Sequence, residues 1–490
     1  MTRHSFVLLT LILAQPCLAQ RFVDRSAELG LTIGSGPVSW GDVNGDGWPD
    51  LYAGGAVWIN QGGTTFTRCE AAGGGLMADL DNDGVGDLVS FEPIGVFRGR
   101  REGDVIKFEP VALPELPRTV SLGAAVGDFD GDGLLDIFLG GFEDWEKQIT
   151  YPSLLLLSEK GKGGKGFTLA KVCQEYRARG VTACDFDEDG DLDIYVSNYR
   201  LAPNVIWIND GQAKFTNEAA KYNVVATSAG FEGGHSIGAC WGDFDGDGHL
   251  DLFAGSFAHV DSRGDQPKSR FLRNLGATKA WAFEDLHECG VWYQESYASP
   301  ACADFDNDGA LDLFFTTVYG DASFGKKNYP VLYRNETKGG VWSFKDVTEG
   351  WGLEHLPATY QTAWADVDQD GRMDVVTAGK LYMNVGKPEA GGGHWLELRL
   401  IGDGVKVNGG AVGAQARIKL PDGRVITRQV EVGTGQGSSS SPILHFGLGA
   451  FAGPATVVIR WPDGSTRTLA DVAVDKLTVA AFAPEAGKAK

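Results

Sequence analysis

An all-β chain, built as a seven-bladed β-propeller with a small β domain behind it, is what these 490 residues predict, on three observations. A nine-residue aspartate pattern recurs seven times at a mean spacing of about 54 residues, the length of one four-stranded blade. Each copy is flanked by short apolar runs of strand character. Glycine, at 69 residues, is about twice its usual share, as many tight turns between short strands require.

The chain opens with Arg3, an apolar stretch from Phe6 to Leu13, and small residues at Cys17-Leu18-Ala19. This is the pattern of a secretory leader cut before Gln20. The apolar run falls far short of the ~20 residues a spanning helix needs, and no later run reaches that length. An exported product without a membrane span is expected, secreted, periplasmic or at the cell surface. The predicted divisions are a signal peptide at 1–19, the propeller at 20–388, a β domain at 389–484 and a tail at 485–490.

The pattern D-x-[DN]-x-D-G-x-x-D starts at Asp42, Asp79, Asp128, Asp185, Asp243, Asp304 and Asp366. Small or apolar residues precede it, as in GAAVGD at Gly123, and a strand-like run follows, as in IFLGG at Ile137. A third run mostly ends in Asn, as in VWIN at Val57 and LYRN at Leu332, and a fourth opens with Phe, as in FTNEA at Phe215. Four segments per repeat predict a four-stranded sheet, and seven sheets a ring. The last repeat stops after Asn384 without its Phe-led segment, whereas FVDRSAELGL at Phe22 precedes any aspartate pattern. The N-terminal strand is therefore expected to complete the seventh blade and remove the edges an open ring would expose.

Side-chain oxygens fall at pattern positions 1, 3, 5 and 9. They are Asp42, Asn44, Asp46 and Asp50; Asp79, Asp81, Asp83 and Asp87; Asp128, Asp130, Asp132 and Asp136; Asp185, Asp187, Asp189 and Asp193. The later copies give Asp243, Asp245, Asp247 and Asp251; Asp304, Asp306, Asp308 and Asp312; Asp366, Asp368, Asp370 and Asp374. Two carboxylates about 4 Å apart repel by about 4 kcal/mol at intermediate dielectric, and a dication removes that cost. Hard oxygen donors suit Ca2+ better than zinc or copper, so up to seven structural Ca2+ ions are expected. Gly at position 6 permits a sharp turn. Position 7 ranges from Trp48 to Arg372, so only its backbone carbonyl is used. An EF-hand is excluded: it needs Glu at position 12 between two helices. Here position 12 is Ala53, Ser90, Leu139, Val196, Ala254, Phe315 or Thr377, inside a predicted strand.

Lys and Arg total 43 against 65 Asp and Glu, for a net charge of −22 and a pI near 4.8. Nucleic acid and anionic membranes would be repelled. Seven bound Ca2+ would leave about −8, so much of the acidity belongs to the loops. With 43% hydrophobic residues the chain is no disordered acidic tail.

The motif and its frame resemble the FG-GAP/VCBS repeats of integrin alpha-chain propellers and many secreted bacterial proteins, over residues 22 to about 386. That resemblance implies that each Ca2+ loop joins the two inner strands of a blade on the lower face. After Gly391-Gly392-Gly393 the calcium pattern ceases, and strand-like WLELRL at Trp395, AQARIKL at Ala414 and ATVVIRW at Ala455 follow. NGGAVGA from Asn408, HFGLG from His445 and WPDGS from Trp461 are similar to the ASPIC/UnbV domain. Gly409-Gly410 stands where that family usually has a charged pair, and GQGSSSS replaces its aromatic-bearing stretch. The whole architecture resembles that of the cartilage-acidic-protein-like group.

Beyond the leader lie six cysteines, an even number compatible with disulfides in an exported protein. Equivalent repeat positions suggest Cys173–Cys184 and Cys289–Cys302, with buried free thiols as the alternative. The long connections 140–152, 197–204, 256–269 and 318–330 fall on the face opposite the calcium loops and mix aromatic and charged residues. Loops on a rigid scaffold are where binding concentrates, so the leading expectation is a binding or adhesion module for protein or glycan. The alternatives are an enzyme (lyase, hydrolase or tailoring enzyme) at the upper channel mouth, with Arg177, His235, Glu295, Tyr297, His355 and Tyr360 as acid–base candidates, and a purely structural surface protein. No nucleophile elbow, HExxH or phosphate loop is present in the sequence. Arg263-Gly264-Asp265 is the single copy that chance supplies in so Gly- and Asp-rich a chain.

Overall fold

The computed structural model describes residues 21–71, 73–91, 93–103, 105–162, 164–173, 176–291, 297–321, 327–386 and 393–483. The leader, Glu295 and the tail from residue 484 lie outside them. Almost every regular element described is a strand, the exceptions being single turns of helix such as Ala219–Tyr222.

Seven sheets share one antiparallel meander plan of four strands. Their first strands are Val38–Gly41, Gly75–Ala78, Ser121–Gly127, Ala178–Cys184, His235–Gly242, Tyr297–Ala303 and Thr362–Ala365. Successive sheets touch in cyclic order through these strands, Ser121–Gly127 meeting the second strand Asp87–Phe91 of sheet two, and the last sheet packs on the first. Phe22–Asp24 runs antiparallel to Lys380–Asn384, with Phe22 opposite Asn384 and Asp24 opposite Tyr382, and so completes the seventh sheet. First and second strands are buried along nearly their whole length, as in Thr362–Ala365 and Asp312–Thr317, because each sheet is covered on both faces by its neighbours. Outer strands such as Phe66–Glu70 bury only their leading Phe. Aromatic residues fill the wedges between sheets: Phe22, Phe305, Phe314 and Trp364 form one such layer.

The Asn that ends the third strand is the stitch between sheets. Its side-chain amide donates to the carbonyl of aspartate-pattern position 2 in the preceding sheet. Asn60 reaches Val367 at 2.9 Å, Asn209 Phe129 at 2.9 Å and Asn274 Phe186 at 2.9 Å. Asn335 reaches Phe244 at 2.8 Å and Asn384 Phe305 at 2.9 Å. Sheets two and three carry Gly99 and Ser158 at this place, and there Arg98 bonds the Gly164 carbonyl instead.

The C-terminal part forms two further sheets. In one, His394–Ile401 lies between Leu444–Gly449 and Leu477–Ala481; the other orders Val425–Gln429, Gln415–Lys419, Ala455–Arg460 and Thr466–Val472. Its apolar side chains, including Leu396, Ile418, Phe446 and Trp461, join Leu80, Phe129, Leu135 and Leu192 of the ring in a single core cluster.

Between these sheets the chain from Val430 to Ser441 leaves the domain and runs up the centre of the ring. Ser438–Ser439 adds in parallel to Val38–Gly41, and Val38 donates to the Gly437 carbonyl. Val126 donates to Val432 and Val181 to Gly435. Gln436 N–H meets Ser299 Oγ at 3.1 Å, Gln361 Nε2 meets the Gln436 carbonyl at 3.4 Å, and Ser441 donates to Trp364. Gly435 lies against Gly238, and Gly437 against Phe91. All seven sheets thus touch this segment. Only small residues fit: a Cβ at Gly123, Gly180 or Gly238 would run into Gly435 at 2.8–3.1 Å.

The expected disulfides are absent, since all six cysteines are free. Cys173 and Cys184 belong to different core clusters. Cys302 sits on an innermost strand with its thiol toward the Trp241 carbonyl, whereas the Cys289 thiol turns to Leu286. Two upper connections fold into small hairpins, Glu143–Asp144 with Ile149–Thr150 and Val260–Asp261 with Gly264–Asp265, so Arg263-Gly264-Asp265 lies on exposed backbone.

Candidate functional site

Each aspartate pattern forms the loop between the first and second strands of its sheet, at the ring face that meets the C-terminal domain. The loop winds round its own carboxylates. Position 1 accepts backbone N–H groups of positions 5 and 6, as Asp304 does from Asp308 at 3.2 Å and Gly309 at 2.9 Å. Position 5 caps the N–H of position 7, as Asp308 does for Ala310 at 2.8 Å. The turn needs two left-handed residues. One is the Gly at position 6, from Gly84 at φ 81° to Gly190 at φ 105°; the other is position 4, filled by Gly45, Asn82, Gly131, Glu188, Gly246, Asn307 and Gln369.

Position 9 has two tasks. Asp312 accepts Phe305 N–H at 3.2 Å on one oxygen and Asn335 N–H at 2.7 Å on the other, tying the loop to the third strand. The remaining lone pairs face the loop interior, where Asp128, Asp130 and Asp136 bring carboxylate oxygens within 4.8 Å of one another, as do Asp243, Asp245 and Asp251. Burial pushes the Asp50 carboxyl up to about 8 and that of Asp312 well above its usual range. Asp81, Asp187 and Asp306, all at position 3, keep buried oxygens without a hydrogen-bond partner. Buried, clustered carboxylate oxygens that lack hydrogen-bond donors suit a hard dication.

The loops are not equivalent. Repeat three has no arginine ion pair among the described residues. In repeat two, Arg98 is buried with Nη1 2.5 Å from Asp87 and Nε 3.7 Å from Asp81, while Arg100 pairs with Asp81 and Asp83. In repeat five, Arg273 lies 2.9 Å from Asp245. Other arginines come from the C-terminal domain: Arg399 pairs with Asp42 at 2.5 Å, Arg460 with Asp185 at 2.6 Å and Arg417 with Glu188 at 2.6 Å. Neutral contacts join them, including Thr427 N–H to Asp243 at 3.0 Å, Gly409 N–H to Asn82 at 2.7 Å and His445 Nε2 to the Gly371 carbonyl at 3.1 Å. The domain is therefore seated directly on the carboxylate loops.

At the opposite face the channel mouth is roofed over the tip of the central segment. Arg179 is the extra residue of a β-bulge between Ala178 and Gly180, and it points over Gln436, whose Oε1 lies 3.5 Å from Nη1. Phe142, Tyr199 and Tyr360 surround its guanidinium. Arg177 and Arg200 share Glu143, at 2.9 and 2.5 Å. Of the acid–base candidates among the described residues, Arg177, His235 and Tyr360 gather here, while Glu295 lies outside those residues. His235 is buried between Tyr199 and His259. Tyr297 is a core residue bonded to Tyr333 Oη at 2.8 Å, and His355 lines a separate groove with Tyr319, Tyr329 and Trp351. Arg179 was missed by sequence reasoning, because a bulge is invisible in strand alternation.

Residues 79–139, 185–254 and 304–377 match the FG-GAP-like repeat model, and residues 404–485 match the ASPIC and UnbV model. The chain is an FG-GAP-repeat protein with an ASPIC and UnbV domain. It is homologous to cartilage acidic protein 1, being 24% identical to the Mus musculus protein over 302 residues and 25% identical to the Homo sapiens protein over 302 residues. The alignments cover 60% of this chain and 43% and 42% of those relatives, so the match spans less than half their length. Among solved structures, BBS1N in complex with ARL6DN aligns with TM-score 0.43 at 11% identity, over 75% of this chain and 98% of that one. An exo-beta-1,3-galactanase from Phanerochaete chrysosporium aligns with TM-score 0.29 at 11% identity, over 86% and 98%.

Proposed function

We propose that this FG-GAP protein is an exported, calcium-stabilised binding module whose upper-face loops engage a protein or glycan. In this reading residues 1–19 are a leader, 20–388 a seven-bladed ring, 389–484 a docked accessory domain and 485–490 a tail. The 28 carboxylate and amide side chains at positions 1, 3, 5 and 9 would hold up to seven Ca2+ ions. Bound there, Ca2+ supplies the positive charge that the buried aspartates lack, and the chain's own residues place those oxygens.

The observation that carries the reading is the set of buried, donor-less oxygens at position 3 in loops already wound for a cation. For the upper face, binding rather than turnover is favoured by the filled channel: the segment from Val430 to Ser441 occupies it, and Arg179 with Phe142, Tyr199 and Tyr360 roofs its tip. Calorimetric melting in Ca2+ and in EGTA tests the first part: a large fall in melting temperature is expected in EGTA, and an unchanged one refutes structural calcium. Glycan-array and pull-down screening test the second, and loss of a captured ligand on shortening the 140–152 or 256–269 hairpin is the expected result.

A further inference from the structure

We infer that Arg179 is the anchor of an anion-binding site at the channel mouth, and that its ligand is the carboxylate or sulfate group of an acidic saccharide. This rests on the upper face being a binding surface and not on the cation loops.

Arg179 is anomalous within its surroundings. The chain carries 65 Asp and Glu against 43 Lys and Arg, and both arginines nearest in the mouth, Arg177 and Arg200, are bound to Glu143. Among the described residues Arg179 is paired with no carboxylate. Its Nε is buried with no hydrogen-bond partner, and its one polar contact is the 3.5 Å approach to Gln436.

The position is built. The bulge removes Arg179 from strand pairing and re-aims its side chain. Three rings contributed by different sheets stand 4.6–5.0 Å from the guanidinium carbon: Phe142, Tyr199 and Tyr360. From below, the tip of the C-terminal segment closes the site with Gln436. Rings engage the faces of a guanidinium and leave its N–H edge, which matches two oxygens of one oxyanion. The bulge and rings therefore hold a planar donor fork at the mouth, paired with no carboxylate among the described residues.

The saccharide assignment follows from the rim. Trp145, 52% exposed, lies under Arg200 at 3.6 Å, and Tyr319 is 44% exposed beside Phe257. Arg200 and Phe257 both touch Tyr199, one of the rings round Arg179, so exposed rings stand one residue outward from the donor and suit a pyranose bearing an acidic group, with stacking for the ring and the fork for the oxyanion.

The test titrates the full-length protein in Ca2+ with glucuronate, glucose, glucose 6-sulfate and an aspartyl dipeptide, followed by ligand-observed NMR. Glucuronate or glucose 6-sulfate is expected to bind and glucose not, the two acids separating a carboxylate from a sulfate source. Arg179→Gln should weaken binding at least tenfold and Arg179→Lys by a smaller factor. Arg25→Gln, at an exposed pair with Glu28, should leave it unchanged. If Arg179→Gln melts early, Arg179→Lys and Gln436→Ala carry the comparison, the latter expected to retain binding. Absence of binding by both acidic sugars, binding by the dipeptide alone, or equal binding by Arg179→Gln would overturn the inference. A screen hit among neutral glycans together with that negative result would do so while leaving the binding-module reading intact.

Discussion

Replacing Asn335 by Ala should unseat sheet six from sheet five. Its amide donates to Phe244 at 2.8 Å and to Leu311 at 3.0 Å, and its Oδ1 accepts Thr337 N–H at 3.0 Å. The residue is 2% exposed, so water cannot replace these partners. Each bond is worth about 1 kcal/mol net, and a carbonyl left bare when buried costs about 1–3 kcal/mol. The loss expected for Asn335→Ala is therefore about 2–4 kcal/mol. With a urea slope of about 3 kcal/mol/M, that lowers the unfolding midpoint by about 1 M. Tryptophan fluorescence in urea at fixed Ca2+ reads this directly. Asn335→Asp should be worse than Ala, because it removes the donor and adds a charge next to Asp312. The exposed Val341→Ala should change stability by less than about 0.5 kcal/mol. A shift below about 1 kcal/mol for Asn335→Ala, or a tolerated Asn335→Asp, would refute the inter-sheet stitch.

In Arg98→Leu, EGTA-treated protein should lose about 3–5 kcal/mol, because two buried carboxylates lose their cation. Ca2+ should restore most of that and bind repeat two at least tenfold more tightly in a calcium titration; an unaltered isotherm counts against an arginine-neutralised loop. Burial pushes His445 down to about 4 from its usual 6.5, so between those values the unfolded chain takes up a proton that the fold refuses. Stability from this group is therefore lost as pH falls from 6.5 toward 4, by about 3 kcal/mol in total, and His445→Gln should flatten that part of the stability–pH curve. Glu431, pushed up to about 8 by burial, acts in the other sense, losing its contribution as pH rises from 4.5 to 8. Gly435→Val places a Cβ 3.0 Å from Ser299 at φ 54°, which should cost about 2–4 kcal/mol in backbone strain and overpacking. Thermal melting with limited proteolysis of the C-terminal domain would show it, and wild-type resistance would argue that the channel is roomier than described.

The loops and the ring were legible because their signals are local and repeated. Asp-x-Asp-x-Asp-Gly fixes a turn within nine residues, and Phe22 lacked a sheet until Asn384 lacked a strand. The recurring Asn was visible without its purpose, since its partner lies one sheet away in space and up to 307 residues away in sequence, as for Asn60 and Val367. Position 4 hid its left-handed backbone behind Glu188 and Gln369, residues seldom chosen for that conformation. The GQGSSSS run at Gly435–Ser441 hid its place in the ring because nothing local shows that Gly123, Gly180, Gly238 and Ser299 line a shaft of the same calibre. The cysteine pairing failed because proximity in sequence does not aim thiols at each other: Cys173 and Cys184 lie in different core clusters, and Cys289 and Cys302, though packed against one cluster, turn to the Leu286 and Trp241 carbonyls.

The seal between Phe22–Asp24 and Lys380–Asn384 and the axle at 430–441 impose a sequence of events on a chain that emerges from one end. The strand Phe22–Asp24 must wait, unpaired, until residue 384 arrives. The hub then has to be filled by a segment made later still, so the ring either closes around that axle or admits it from beneath. A product truncated between residues 384 and 430 would be a hollow rim, its polar inner edges wet and its carboxylate loops uncovered. Completion of the ring thus depends on a segment made after every one of its sheets.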